Sequence, residues 1–120
     1  MRVFVAGGTG VVGQRLVPQL VARGHEVVAT STSRAKLPVL ERLGAEAVVM
    51  DGLDAASVRS AVLAAHPDVV VHEMTAISGK PSIKHMDRWF AVTNRLRTEG
   101  TDHLIAAARA AGARRLVWQS

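Results

Sequence analysis

A cluster of glycines near the start of the chain has the residue types and spacing to bind phosphate. The stretch "GGTGVVG" contains Gly7, Gly8, Gly10 and Gly13, and it fits G-x-x-G-x-x-G, G-x-G-x-x-G and the glycine spacing of a P-loop. Each of these patterns lets backbone N–H groups approach a phosphate closely. The glycines alone therefore predict a phosphate-bearing ligand without deciding which one.

The residues after the last glycine separate these alternatives. A P-loop needs Lys followed by Ser or Thr, because Lys reaches the terminal phosphates and the hydroxyl binds magnesium. Gln14 and Arg15 occupy those two positions, which argues against a nucleotide hydrolase. A dinucleotide site instead needs a strand before the turn and a helix after it, so that the amino end of the helix faces the pyrophosphate.

The flanking residues predict this order of elements, and the same alternation continues along the chain. The apolar run 3–6 is typical of a strand buried on both faces, and apolar residues at helical spacing follow it up to Gly24. Pro18 is expected to bend this first helix or tighten the turn before it. Further strands are predicted at 26–30, 45–51, 68–72 and 116–119, with helices over 34–43, 55–65 and a long stretch that ends at 111. This pattern predicts one α/β domain over residues 1–120, with a doubly wound parallel sheet covered by helices on both faces.

Composition excludes several other kinds of site. The 120 residues are 48% hydrophobic and 21% charged, and they include no cysteine, which excludes disulfides and thiolate metal sites. The five histidines are widely separated, so no metal is expected. No apolar run approaches the ~18 residues that cross a bilayer, and no apolar signal segment follows Met1-Arg2. We expect a cytoplasmic protein with no membrane partner.

The positive charge of the chain raises the alternative of a nucleic-acid partner. The formal net charge is +5 and the isoelectric point is about 11.1. Nucleic-acid binding would require clustered cations and stacking platforms, whereas the arginines are spread along the whole chain and aromatic residues make up 3% of it. We therefore expect the charges to lie on solvated helix faces, and we expect no nucleic-acid partner.

Four stretches of the chain together carry a resemblance to a known family. They are "GGTGVVG" at the glycine turn, "GAEAVVMDGLD" at the third strand, "PDVVVH" at the fourth strand, and "TNRLRTEGTDHLIAAARAAGARRLVWQS" at the last helix and fifth strand. With these the chain resembles the extended short-chain dehydrogenase/reductase family, the NAD(P)-dependent epimerases, dehydratases and reductases. The resemblance covers the whole chain and implies an NAD(P)-binding domain with a Rossmann-type α/β fold.

The resemblance also implies which residues contact the cofactor. The pyrophosphate and the helix behind it involve Gly7, Thr9, Gly10, Val11, Val12 and Gly13. The adenine ring lies near Asp51, Gly52 and Leu53, although Asp51 as a turn residue at the strand end is the structural alternative. The residues after the fourth strand that line the cofactor are Met74, Thr75 and Ala76, with Met74 as a hydrophobic wall. The sequence departs from the family here, because Glu73 and Met74 stand where small residues are typical.

The end of the second strand bears on the choice between NADP and NAD. An NAD site usually carries Asp or Glu about 20 residues beyond the glycines, where it binds the ribose hydroxyls. Here Ser31, Thr32 and Ser33 leave room for a 2′-phosphate, and Arg34 follows them. Arg34 can pair with that phosphate, which favours NADP as the cofactor; the alternative is that Arg34 begins a solvated helix with Lys36.

The resemblance implies catalytic residues that are mostly outside this chain. In the family a Tyr-x-x-x-Lys pair and a Ser act on the substrate, whereas the chain has no tyrosine and the Ser would fall at or just after Ser120. Asn94 matches a family asparagine near that pair, although Gly100-Thr101 begins six residues beyond it rather than three. We therefore expect the cofactor-binding part of a longer oxidoreductase or epimerase acting on a small carbonyl or nucleotide-sugar-like substrate, with a homodimer as an open alternative. The rival hypothesis is a non-catalytic dinucleotide-binding redox sensor.

Overall fold

The computed structural model describes residues 1–74, 91–92 and 94–118. Within these residues, strands and helices alternate in the order that the sequence predicts. The strands are β1 (Arg2–Ala6), β2 (Glu26–Ser31), β3 (Glu46–Val49), β4 (Val69–His72) and β5 (Arg115–Trp118). The α-helices are α1 (Val11–Ala22), α2 (Leu37–Arg42), α3 (Ala55–Ala65) and α4 (Thr101–Ala111). A 3₁₀ turn (Arg34–Lys36) precedes α2 and a π-helical turn (Leu96–Gly100) precedes α4.

The five strands form one parallel sheet in the order β3-β2-β1-β4-β5. In the register of β1, Val3 lies opposite Val27 of β2 and opposite Val69 of β4. The chain runs outward from β1 to β3 and then returns to the other side of β1 as β4. The strand order therefore reverses beside β1, and ligands of such sheets bind at the carboxyl ends of the strands near this reversal. The predicted doubly wound fold is confirmed.

Helices cover both faces of the sheet because β1 buries alternate side chains on opposite sides. Phe4 belongs to a core cluster that includes Val62 of α3. Val5 points to the other face and belongs to a second cluster with Val17 of α1 and Leu40 of α2. Full burial of each such side chain contributes roughly 1.5–3 kcal/mol to folding. These two layers hold the ends of β1 and β2 in fixed positions beneath the glycine turn.

The ends of α3 and α4 are set by capping residues. Asp54 caps the start of α3, where its Oδ1 accepts the N–H groups of Ala56 at 3.0 Å and Ser57 at 3.2 Å. Helix α3 ends at Ala65 and is capped by His66, which has a left-handed backbone with φ of 47°. Helix α4 ends at Gly112 with φ of 74°, the conformation common just beyond a helix carboxyl end.

Both helical prolines lie within helical segments of the structure. Helix α1 continues through Pro18 to Ala22. The predicted helix over 34–43 is divided into the 3₁₀ turn and α2, so that Pro38 lies in the first turn of α2. Proline is tolerated there because the first N–H groups of a helix have no partner within the helix. The division of this segment was not predicted. The side chains of the 3₁₀ turn point in directions different from those that one continuous α-helix would give them.

Candidate functional site

The carboxyl ends of the strands border a cleft of about 1020 Å³. Its walls come from the turn after β1, the ends of β2, β3 and β4, and the helical segment before α4. The described residues that line it are Gly7, Thr9, Gly10, Val11, Gln14, Arg15, Thr30, Ser31, Thr32, Lys36, Met50, Asp51, Gly52, Leu53, Glu73, Met74, Val92 and Leu96. The cleft thus brings together residues predicted separately from the glycine turn and from the ends of three strands.

Thr30 at the end of β2 holds the glycine turn. Its Oγ1 accepts the N–H of Gly7 at 3.0 Å, and its backbone oxygen accepts the N–H of Gly8 at 2.9 Å. Gly7 has a φ of +87°, a left-handed conformation that side chains disfavour. A Cβ at Gly7 would also lie 2.5 Å from the backbone oxygen of Glu73. The turn therefore needs glycine at this position for the fold itself.

Helix α1 begins at the cleft. Gly10 is its N-cap residue, with an extended backbone and no side chain to bond the first N–H groups. These groups have no partner within a helix, and they form its positive end. A Cβ at Gly10 would meet only the backbone oxygen of Gly7, at 3.8 Å. The fold thus leaves open space in front of Gly10, on the side of the cleft where an anion would be bound.

Gly13 allows α1 to pack closely against the glycine turn. A Cβ at Gly13 would lie 2.7 Å from the backbone oxygen of Gly8 and 2.8 Å from that of Gly7. Gly13 is buried and, like its exposed neighbour Val12, is not part of the cleft wall. The three glycines of the turn therefore have different roles. Gly7 allows the turn conformation, Gly10 leaves open space in front of the helix, and Gly13 allows close packing.

The end of β2 presents hydroxyl groups and a cation to the cleft. Ser31 is buried, and its Oγ accepts the N–H of Ser33 at 3.1 Å. Thr32 and Lys36 line the cleft. Ser33 and Arg34, which were also predicted to contact the cofactor, do not line it; Arg34 is exposed in the 3₁₀ turn.

The predicted adenine residues lie at the end of β3. The Oδ1 atom of Asp51 accepts the N–H of Leu53 at 2.9 Å, which closes a local turn. The N–H of Asp51 donates to the Oγ of Ser57 at 3.0 Å. Asp51 therefore has the structural role of a turn residue and also borders the cleft. Its Oδ2 atom makes no hydrogen bond within the described residues, so this atom is open to another partner.

The end of β4 contributes two ionisable side chains whose pKa values are shifted. Burial lowers the pKa of His72, and its hydrogen bond to the backbone of Leu96 opposes this shift less strongly. Burial also raises the pKa of the Glu73 carboxyl. Glu73 lines the cleft, and its N–H donates to the backbone oxygen of Ala6 at 2.8 Å. His72 is buried and does not line the cleft.

Met74 forms the apolar floor of the cleft near β3. Its side chain fills the space beside Gly52, where an added Cβ would overlap Sδ, and beside Gly100, where an added Cβ would lie 3.2 Å from Cε. Met74 is 7% exposed. The side chain therefore forms an apolar surface of the cleft beside Gly52 and Gly100.

The predicted catalytic residues are not brought into the cleft by the described part of the chain. Asn94 is exposed and does not line it, and its backbone oxygen accepts the hydroxyl of Thr98 at 3.0 Å. The predicted contacts at Thr75, Ala76 and Ser120 lie outside the described residues. These assignments stay predictions.

Sequence reasoning missed several residues of the cleft. Arg15, Thr30, Lys36, Val92 and Leu96 line it and were not predicted to do so. The four-residue spacing of Val92 and Leu96 places both on one helix face and was a usable signal. Arg15 carried no such signal, because its position on α1 relative to the end of β2 depends on how the helix packs.

Two other kinds of site were sought among the described residues. No group of three or more His, Asp or Glu side chains is arranged to hold a metal ion in 1–74, 91–92 and 94–118. No helix in this part of the chain is long and apolar enough to cross a membrane. Within the described residues, the cleft is therefore the candidate functional site.

The strand order and the glycine turn at the cleft define an α/β dinucleotide-binding domain. The comparison with protein families identifies it further. The chain belongs to the NAD(P)H-binding family, whose family model matches residues 7–120. This match includes the glycine turn, all of the cleft residues and strands β2 to β5.

Known relatives of the chain are reductases and epimerases. It is 53% identical over 120 residues to a 3-diazoavenalumate denitrifying reductase from a Streptomyces species, covering all of this chain and 38% of that protein. It is 32% identical over 131 residues to a UDP-glucose 4-epimerase from Klebsiella pneumoniae, covering all of this chain and 88% of that protein. The chain thus spans little more than a third of the length of the first relative.

A solved structure gives the same result. A short-chain dehydrogenase/reductase superfamily protein from Agrobacterium tumefaciens with bound NAD is 30% identical and has a TM-score of 0.70. The similarity covers 98% of this chain and 32% of that one. The chain is therefore an NAD(P)-binding domain of the type found in short-chain dehydrogenase/reductases and epimerases, as the sequence resemblance predicted.

Proposed function

We propose that the cleft binds NADP(H) and that the domain holds this cofactor for an oxidoreductase acting on a small carbonyl or nucleotide-sugar-like substrate. One observation carries the proposal. The open amino end of α1 at Gly10 and the apolar wall at Met74 border the same cleft. A dinucleotide needs both features, because it joins a charged pyrophosphate to flat aromatic rings.

The glycine turn fits the pyrophosphate by shape as well as by charge. Gly7 and Gly13 have no room for a Cβ, whereas the space in front of Gly10 is open. Backbone N–H groups at the start of α1 can therefore contact an anion directly. A side chain at Gly10 would occupy the space of the anion without disturbing the protein.

The adenosine half of the cofactor fits the ends of β2 and β3. Met74 and Leu53 provide apolar surface beside Asp51, whose Oδ2 atom can accept the adenine amino group. The segment after β2 has Ser31 and Thr32 in place of the carboxylate that binds ribose hydroxyls in NAD sites. This absence of negative charge supports NADP(H) over NAD(H).

The nicotinamide half extends towards the end of β4 in this arrangement. When bound, its ring supplies or accepts the hydride. Glu73 lines this part of the cleft, where its carboxyl group can accept hydrogen bonds from ribose hydroxyls. The relatives differ in the compounds that their names contain: 3-diazoavenalumate for the Streptomyces reductase, and the nucleotide sugar UDP-glucose for the Klebsiella epimerase.

Titration of the purified protein with NADPH and NADH, followed by nicotinamide fluorescence, tests the proposal. We expect saturable binding of both cofactors with NADPH bound more tightly. Gly10→Ala is expected to lose affinity for both while its circular dichroism spectrum and unfolding midpoint stay unchanged, because the Cβ meets nothing closer than 3.8 Å. Undiminished affinity in this variant would place the pyrophosphate elsewhere. In the longer protein that the sequence predicts, binding without oxidation of NADPH in the presence of carbonyl substrates would favour the redox-sensor alternative.

A further inference from the structure

We infer that Arg15 and Lys36 together bind the 2′-phosphate of NADP(H), and that Arg34 does not. The two cations come from different elements: Arg15 from α1 and Lys36 from the 3₁₀ turn after β2. Both line the cleft. The inference rests on the proposed function, since it assigns residues to a group that distinguishes NADP(H) from NAD(H).

The geometry of the 3₁₀ turn separates Lys36 from Arg34. This turn has three residues per revolution, so side chains two positions apart project about 120° apart. Lys36 lines the cleft, whereas Arg34 is exposed and does not line it. Arg34 and Lys36 therefore serve different surfaces, although they are only two residues apart in the sequence.

The surroundings of the two cations favour a phosphate. Thr32 lies in the cleft wall with Lys36, and the residues from Ser31 to Lys36 include no carboxylate. The acidic residues of the cleft, Asp51 and Glu73, follow other strands. A phosphate near the end of β2 would therefore meet positive charge and a hydroxyl without a nearby acidic side chain of its own segment.

Neither cation is held in an ion pair with another described residue. In that part of the chain the ion pairs are Arg2 with Glu26 and Arg95 with Glu99, and neither Arg15 nor Lys36 takes part in one. Arg15 can bind a phosphate with two parallel N–H groups, and Lys36 adds a point charge. Gln14, the neighbour of Arg15, is already engaged, because its Nε2 donates to the backbone oxygen of Thr9 at 2.8 Å.

Dissociation constants for NADPH and NADH in single variants test this assignment. Arg15→Ala and Lys36→Ala are each expected to weaken NADPH binding about tenfold and to change NADH binding by less than about twofold. The double variant is expected to lose more NADPH affinity than either single variant, with NADH binding unchanged; the two losses need not add, because both cations would bind the same phosphate. Arg42→Ala is the matched control, because Arg42 is an exposed cation on α2 that does not line the cleft.

Four results would overturn the assignment. Equal loss of NADPH and NADH in Arg15→Ala would place Arg15 at the pyrophosphate. Loss of NADPH alone in Arg34→Ala, with Lys36→Ala unchanged, would restore the assignment predicted from the sequence. Normal NADPH binding in the double variant would leave the proposed function intact and remove the two cations from it, whereas a wild-type protein that binds neither cofactor would overturn the proposed function as well. Unfolding midpoints are expected to be unchanged throughout, because both side chains are exposed.

Discussion

His72 and Leu96 are joined by a hydrogen bond of 3.1 Å between the imidazole Nε2 and the backbone oxygen. The other ring nitrogen, Nδ1, accepts the N–H of Met74, also at 3.1 Å. Since one nitrogen must donate to an oxygen and the other must accept from an N–H, the ring is neutral with its proton on Nε2. One buried side chain therefore ties the end of β4 to the helical segment that forms the opposite wall of the cleft.

Removal of this tie is expected to destabilise the protein. His72→Leu leaves the N–H of Met74 and the oxygen of Leu96 without their partner, which is expected to lower the free energy of unfolding by about 1–3 kcal/mol. Urea denaturation measures the change. His66→Asn is the matched control, because His66 is exposed and Asn tolerates its left-handed backbone, so that a change within about 0.5 kcal/mol is expected. Equal stability of wild type and His72→Leu would show that the tie is unimportant.

The same histidine predicts a dependence of stability on pH. Burial lowers its pKa in the folded state below the ordinary value of 6.5, so the unfolded chain takes up its proton first as the pH falls. The stabilisation is therefore complete above pH 6.5 and is lost towards the lowered pKa. Unfolding free energies of wild type and His72→Leu from about pH 8 to about pH 5 are expected to converge as the pH falls. The comparison cancels the opposite effect of Glu73, whose raised pKa makes stability fall as the pH rises through it. A constant difference would contradict this prediction.

Gly13→Ala is expected to reduce both stability and cofactor binding. Its Cβ would lie 2.7 Å from the backbone oxygen of Gly8, so either α1 or the glycine turn must move. Such overpacking costs about 1–3 kcal/mol. Thermal unfolding and NADPH titration measure the two effects. Gly10→Ala separates them, because it is expected to lose binding with normal stability; similar unfolding midpoints for the two variants would disprove the distinction.

Asp51 and Asp54 provide a matched pair of carboxylates. Asp51→Ala is expected to weaken NADPH and NADH equally, by about tenfold, if its Oδ2 accepts the adenine amino group. Asp54→Ala removes the cap of α3 and is expected to lower stability by about 1 kcal/mol without changing affinity. Calorimetric titration and urea denaturation of both variants check these outcomes. An affinity for Asp51→Ala equal to that of wild type would restrict Asp51 to its role in the turn.

Gly52 and Met74 are expected to be energetically coupled. A Cβ at Gly52 overlaps the Met74 sulfur, so Gly52→Ala should push this flexible side chain into the cleft and weaken both cofactors. Met74→Ala removes the clash at the cost of a cavity. The double variant is therefore expected to bind NADPH better than Gly52→Ala alone. In the free energy of unfolding, the two substitutions are expected to show a coupling energy of about 0.5–3 kcal/mol. Additive effects in a double-mutant cycle would rule out this contact.

The sequence was sufficient to predict the fold and much of the cleft. The apolar run 3–6 and the glycine turn have physical signatures that depend on neighbouring residues only. Strand β1 confirms the first interpretation, and the family match over residues 7–120 confirms the second. Gly7, Gly10, Asp51 and Met74 line the cleft because the carboxyl ends of parallel strands meet at one edge of the sheet. The family resemblance implied these four positions, and the order of elements explains why they meet.

Other features depended on geometry that the sequence does not express. Arg34 was the natural candidate at the end of β2, yet Lys36 lines the cleft, because the segment begins with a 3₁₀ turn rather than an α-helix. The sequence gives no sign of the two hydrogen bonds of His72, because one of them joins it to a backbone oxygen 24 residues away. The other joins it to a backbone N–H two residues away. The preference for NADP(H) and the roles of Thr75, Ala76, Asn94 and Ser120 stay predictions.

The π-helical turn Leu96–Gly100 has a consequence for comparing this chain with its relatives. A π turn contains one residue more than an α-helical turn, so it rotates everything before it by about 100° relative to an uninterrupted helix. A relative that lacks this extra residue would present different side chains to the cleft from the same alignment columns. Asn94, which precedes the turn, is therefore rotated by about 100° from the direction that an uninterrupted helix ending at Gly100 would give it. Insertions and deletions in this turn offer a way for related proteins to exchange one set of cleft-facing residues for another without changing the sheet.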